Sequence, residues 1–218
     1  MEGAKPKLGY WAIYGAAQPS RYLLEYLGAE YEEERYTPET AKVWFEEHKA
    51  NLGLDFPNLP YYLDGDVKIT ESMAILRHIA RKNKPDLLGK DLAEKAKFEN
   101  LFFLFANWKT DLAGHCYKDN HEELKPKLLE AANKKLEQLD KVVGAAWLVG
   151  EQFTVADILA FDSFEFLLLI EPSALDAYKN IAGWRQRFVE QDWYKKYVAS
   201  GKLPEHVNAP GYAKINNK

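Results

Sequence analysis

Cysteine is almost missing: Cys116 stands alone in 218 residues, so no internal disulfide can form. Nothing pairs with it at zinc-site spacing, and the five histidines include no His-x-x-x-His pair, so no metal site is expected. No Gly-x-Gly occurs, which removes the dinucleotide fingerprint, and no Walker-type lysine loop is present. A Gly-x-Ser-x-Gly elbow is absent too, so no serine nucleophile is offered. Apolar runs stop short of the roughly 18 residues that span a bilayer. The opening "MEGAKPKLGYW" lacks the apolar core of a signal peptide, and Asn-x-Ser/Thr acceptors are missing. A net charge of −4 gives no electrostatic footprint for nucleic acid, and no basic block suits a membrane surface. The expectation is a cytoplasmic protein, without nucleic-acid or membrane partners, whose chemistry needs neither metal nor covalent serine.

What is present is a 47% hydrophobic chain, enough for one or two buried cores. Its organisation changes once. "KLGYWAIY" (7–14) reads as a strand and "QPSRYLLEYLG" (18–28) as a helix, with Pro19 at its start and Gly28 past its end. "AEYEEERYT" reads as a second strand, and "PETAKVWFEEHKA" (38–50) as a helix opened by Pro38. "NLPYYLDGDVKITESMAIL" (58–76) is a hairpin around "DGD" followed by an amphipathic helix. This order builds a small mixed sheet with helices on its faces. After a polar linker over 84–91, strand signals stop. Leu101, Phe105, Trp108 and Leu112 recur at helical spacing, as do Leu129, Ala132, Leu136, Leu139 and Val143. "FTVADILAFDSFEFLLLI" (153–170) is apolar nearly all round and should be a buried central helix, opened by a Thr154–Asp157 capping box. The expected fold is an α/β domain over residues 1–83, the linker, and an all-α domain over 92–218.

The segment 58–76 also poses a chemical question. Pro60 lacks an amide donor and so belongs at a strand entry, with Leu59–Pro60 a candidate cis peptide that turns the Leu59 backbone groups outward. Such groups can pair with an extended peptide. Glu71 and Ser72 sit at a helix N-terminus, where free amides and the dipole favour an anion. A short peptide bearing a carboxylate suits this arrangement; an ordinary turn and helix cap is the plain alternative. Tyr10, taken alone, reads as a packed strand tyrosine.

Together, "LGYW" (8–11), "LGLDFPNLPYY" (52–62), "KITESMAIL" (68–76) and "FTVAD" (153–157) resemble the cytosolic glutathione transferases, specifically the mu class and related helminth and arthropod enzymes. The match runs from Leu8 to about Leu203. It implies a thioredoxin-like N-terminal domain, a helical C-terminal domain, and a homodimer that takes glutathione as co-substrate and no cofactor. By the resemblance Tyr10 is the catalytic tyrosine, while Trp11, Lys49 and a neighbouring aromatic hold the glycine end of glutathione. Ungapped counting from "FPNLP" selects Phe45 for that aromatic; a one-residue helix shift selects Trp44, which is favoured. Asn58, Leu59 and Pro60 form the backbone-pairing edge, Ser72 takes the γ-glutamyl carboxylate and Glu71 its ammonium. Phe56 matches an aromatic that plugs the partner subunit.

Departures from the family pattern are also visible. Glu71 stands where many mu enzymes have glutamine, and Asn107 where an aspartate reaches over from the partner. The stretch Tyr36–Trp44 is too short for the extended mu loop, so the electrophile cleft should be open. Its implied lining is Ile13, Ala16, Ala106, Thr110, Ala113 and Tyr117, the last matching a tyrosine that assists the electrophile. The implied reaction is attack of the glutathione thiolate on hydrophobic electrophiles, a detoxification. The other readings are a prostaglandin-type isomerase, which "LGYW" and "LGLDFPNLP" oppose, and a non-catalytic carrier of apolar ligands.

Overall fold

The structure is a computed structural model that describes residues 4–143 and 146–216. Four short strands, β1 (Lys7–Trp11), β2 (Glu32–Tyr36), β3 (Tyr61–Asp64) and β4 (Val67–Thr70), form one sheet in the order β2-β1-β3-β4. β2 lies parallel to β1 because helix α1 (Gln18–Leu27) makes the crossover, whereas β3 and β4 are an antiparallel hairpin. The hairpin turns at Gly65, whose φ of 61° suits a residue without a Cβ. α1 carries Pro19 in its first turn and stops at Gly28, where a left-handed residue (φ 60°) lets the amide reach back to Leu24 and Glu25.

Register decides what the sheet presents. Gly9 lies opposite Tyr61, and Tyr61 opposite Thr70. Tyr10–Trp11, Leu59–Pro60 and Glu71–Ser72 are therefore brought to the same end of the sheet. The helix expected over 38–50 is different: a π-helical stretch, Val43–His48, runs into the short α2 (Lys49–Asn51). α3 (Ser72–Asn83) buries Ile75, Leu76 and Ile79 in the same core as Leu23 and Leu24 of α1. A separate small cluster gathers Tyr36, Trp44, Leu54 and Tyr61.

The remainder is helical: α4 (Leu92–Cys116), α5 (His121–Val142), α6 (Val155–Ile170), α7 (Lys179–Val189) and α8 (Asp192–Ala199). Asp91 caps α4 by accepting from the Glu94 amide at 2.9 Å. α6 is buried over most of its length, as its apolar circumference demands. Its capping box is formed, with the Thr154 amide donating to Asp157 Oδ2 at 2.9 Å. Asp157 Oδ1 accepts further bonds from the Leu148 amide (3.0 Å) and the Trp184 indole (3.1 Å). α4 packs on α6 through Phe105 and Trp108 against Phe164, and α1 meets α6 through Tyr22 and Phe161. One large core therefore runs across the sheet domain and the helices. Among the described residues, no helix is long and apolar enough to cross a membrane.

Candidate functional site

Tyr10, one residue before the end of β1, is only 9% exposed. Its hydroxyl oxygen accepts from the Ala16 amide at 3.0 Å. That bond exists because the chain doubles back through Gly15, whose φ is 43° and whose missing Cβ would otherwise lie 2.7 Å from the phenol oxygen. Burial raises the Tyr10 pKa above its ordinary value, with the Ala16 amide pulling the other way. At neutral pH the phenol keeps its proton. Its oxygen is already engaged as an acceptor, so the O–H is available to donate.

Two buried cations hold the turn that supplies this amide. Arg21 of α1, fully buried, donates to the carbonyls of Ile13 (2.7 Å) and Trp11 (3.3 Å) and pairs with Glu33 at 2.5 Å. Lys109 of α4 donates to the Gly15 carbonyl at 2.7 Å and forms an ion pair with Asp162 of α6.

A cleft of ≈570 Å³ opens in front of Tyr10. Ile13, Ala16, Ala106, Thr110, Ala113 and Tyr117 all line it, together with Ser72 and the exposed Asn107 of this same chain. The sequence reading missed Met73, Phe103, Lys109, Phe166 and Asn208, which also line it. Lys109 was detectable as a lone charge on the apolar face marked by Phe105 and Leu112. Asn208 was not, because it arrives from the C-terminal tail.

That tail closes one side of the cleft. Tyr14 and Gly15 amides donate to His206 and Val207 carbonyls at 2.9 and 3.1 Å, and the Lys214 amide reaches Cys116 O at 2.7 Å. The Ala209 amide donates to the Tyr117 hydroxyl at 2.9 Å, leaving that O–H free to point elsewhere. Cys116 itself is buried, its thiol turned to Leu112 O at 3.4 Å and its pKa pushed up to about 11 by burial.

Beside the cleft, Leu59–Pro60 is cis. The Leu59 amide donates to Asn58 Oδ1 at 2.9 Å. Glu71 is the N-cap of α3 with φ 68°, a left-handed conformation that costs a non-glycine residue on the order of 1–3 kcal/mol. The Glu71 side chain makes no cap hydrogen bond to this helix.

The structure places the two aromatic candidates differently. Trp44 is 3% exposed, stacked on Tyr61 inside its own cluster. Phe45 is 57% exposed, 6.2 Å from the Trp11 ring and beneath the Lys49 ammonium at 6.0 Å. The structure therefore brings Trp11, Phe45 and Lys49 together and leaves Trp44 out. Trp11, Lys49, Asn58, Leu59, Pro60 and Glu71 lie outside the cleft lining itself.

Residues 6–81 match the family model for the glutathione S-transferase N-terminal domain, and residues 95–192 the model for its C-terminal domain. The chain is 39% identical to glutathione S-transferase Mu 4 of Mus musculus over 213 residues, which covers 95% of each protein. It is also 39% identical to glutathione S-transferase Mu 2 of Homo sapiens over 206 residues, 92% of this chain and 94% of that one. Among solved structures, the glutathione S-transferase Blo t 8 superposes with a TM-score of 0.87 at 29% identity, covering 97% of this chain and 100% of that chain.

Proposed function

This chain belongs to the glutathione S-transferase family, with Mu-class enzymes among its relatives, and from that membership we propose how its own residues carry the conjugation of glutathione to hydrophobic electrophiles. A thiol ionises near pH 8.5, so at neutral pH little of it is thiolate, the only good nucleophile. Tyr10 donates its O–H to the sulfur and favours the charged form. Lowering the thiol pKa by about two units takes roughly 2.7 kcal/mol, within reach of a charge-assisted hydrogen bond in a partly desolvated cleft. The observation that carries this reading is the Tyr10 hydroxyl, which lines the cleft and accepts from the Ala16 amide, so that its O–H is available to a ligand.

The remaining roles follow the charges of glutathione. Lys49, over Phe45 and beside Trp11, takes the glycine carboxylate. The Leu59 backbone pairs with the cysteinyl peptide, which requires the ligand to displace Asn58 Oδ1 from the Leu59 amide. The uncapped N-terminus of α3 with Ser72 takes the γ-glutamyl carboxylate, and Glu71 the ammonium. Asn107 completes the γ-glutamyl site in a homodimer, a neutral contact where the family pattern has a charged one. The electrophile lies among the small side chains of the cleft, with the Tyr117 hydroxyl available to its leaving group. We place the enzyme in the cytoplasm, with glutathione as co-substrate and no other cofactor, a reading supported by family membership.

Carriage without catalysis would not need a donor held at the cleft. Conjugation of a generic aryl halide, with and without glutathione, tests the reading, and Tyr10→Phe is its control. The variant should bind glutathione nearly as wild type while the bound thiol pKa rises one to two units, about 1.4–2.7 kcal/mol. Turnover at pH 7 should fall at least about tenfold and recover in part at higher pH. An unchanged thiol pKa, followed by ultraviolet titration, would assign sulfur activation to another group.

A further inference from the structure

Lys109 is a buried lysine that the conjugation chemistry above does not use, although it lines the cleft and is 6% exposed. Its ammonium has two polar partners and one aromatic neighbour. One direction meets the Asp162 carboxylate, one donates to Gly15 O at 2.7 Å, and the Phe166 ring centroid lies 5.4 Å away. Two of its three donors are thereby engaged inside the protein.

What it holds is more informative. The Gly15 carbonyl and the Ala16 amide are the two ends of one planar peptide unit. Lys109 grips the oxygen end at 2.7 Å, and the N–H end donates to the Tyr10 phenol at 3.0 Å. A cation on the carbonyl fixes the plane and draws electron density toward oxygen, which makes the N–H a stronger donor; hydrogen bonds in such chains strengthen one another. The phenol oxygen then carries less density, and its own proton is given more readily. Resting on the functional reading above, we propose that Lys109, anchored by Asp162, is a positioning residue that acts through the Gly15–Ala16 peptide to orient and strengthen Tyr10 as the donor to the glutathione sulfur. The line of transmission runs from Asp162 and Lys109 of the helical domain, through the peptide, to the phenol and the thiolate. No proton changes owner along it. The other charged or titratable groups around Tyr10 are Arg21, whose guanidinium lies 6.0 Å from the ring centroid, and Tyr117. Neither touches this carbonyl.

A purely structural ion pair makes a different forecast, because exchanging both members of a buried pair for apolar residues is often neutral for stability. The test is the variant Lys109→Met/Asp162→Leu beside Lys109→Met, each titrated for glutathione affinity and for the pH at which the bound thiol ionises. The double variant should melt within a few degrees of wild type and bind glutathione within about twofold. Its bound thiol pKa should nonetheless rise by about one unit, with kcat/KM at pH 6.5 about tenfold lower and KM for glutathione little changed. A double variant with wild-type thiol pKa would overturn the proposal and leave the pair a domain contact only. If that variant does not fold, Lys109→Gln, which keeps a neutral donor of similar length, carries the test: its thiol pKa should rise, and a wild-type value overturns the proposal. If wild type itself binds glutathione as the neutral thiol at pH 7, the functional reading falls and this one with it. If wild type ionises the thiol and the variants match it, only the role of Lys109 falls.

Discussion

Gly15 has no side chain, and the space a Cβ would need is filled by the working edge of the Tyr10 ring. An added Cβ would stand 2.7 Å from both Cε1 and the hydroxyl, in a backbone conformation that already disfavours an L residue. Gly15→Ala should therefore displace the ring or the turn and break the Ala16–phenol bond. The expected outcome is a loss of kcat/KM at pH 7 of about tenfold or more, like Tyr10→Phe, with the αL strain itself adding about 1–2 kcal/mol of destabilisation. Steady-state kinetics and a thermal melt check it; wild-type kcat/KM would show that the turn yields without moving the phenol. Much of this site was legible as residue types in "LGYW" and "KITESMAIL". The geometry around the Tyr10 hydroxyl was not, since it involves a turn five residues on and a lysine from another domain. Trp44 and Phe45 part for a local reason. Val43–His48 is π-helical, and its i→i+5 turns carry the chain out of phase with the 3.6-residue wheel. Trp44 consequently turns inward onto Tyr61, and Phe45 faces Lys49.

α6 is the element that the pattern of the sequence described best, because a helix apolar all round has only one place to go. The same pattern hid its polar residues. Asp162 binds Lys109 and Glu165 binds Arg185, so charges inside the apolar run are cross-links to neighbouring helices. Asp157 at the capping box is wholly buried, and burial pushes its pKa up to about 6. In the unfolded chain an aspartate ionises near 3.9. Between those values the folded state binds more protons than the unfolded state, so this group's contribution to stability falls as pH rises from about 4 to about 6, by about 3 kcal/mol in all. Asp157→Asn cannot ionise and loses an acceptor, a cost of about 1–3 kcal/mol. The gap in unfolding free energy between wild type and this variant should be largest near pH 4 and shrink toward pH 7, as read by denaturant titration at each pH. A gap constant across that window would mean the carboxyl is already ionised at pH 4 in the folded protein.

At the scale of the whole molecule, Phe56 stands 80% exposed on the loop before β3. The loop is not loose, since Thr70 Oγ1 donates to the Phe56 carbonyl at 3.0 Å. A ring presented in this way is not packing in its own core. Inserted into an apolar pocket of a second copy, each ring contributes about 1.5–3 kcal/mol, and a two-fold dimer has two. Phe56→Ala should leave the fold intact, because an exposed ring contributes little to it, while dimer dissociation rises by about two to four orders of magnitude. Sedimentation at micromolar and sub-micromolar concentrations reads this, and a variant that stays dimeric throughout would place the contact elsewhere.

A catalyst for thiol-reactive compounds is exposed to its own substrates in every cycle. With the Cys116 thiol buried at the end of α4, and its pKa pushed up to about 11, only about one molecule in ten thousand carries a thiolate at pH 7. The one sulfhydryl that the chain contains is thus the one its electrophiles can neither reach nor find ionised. Self-alkylation at cysteine is closed off as a route of inactivation.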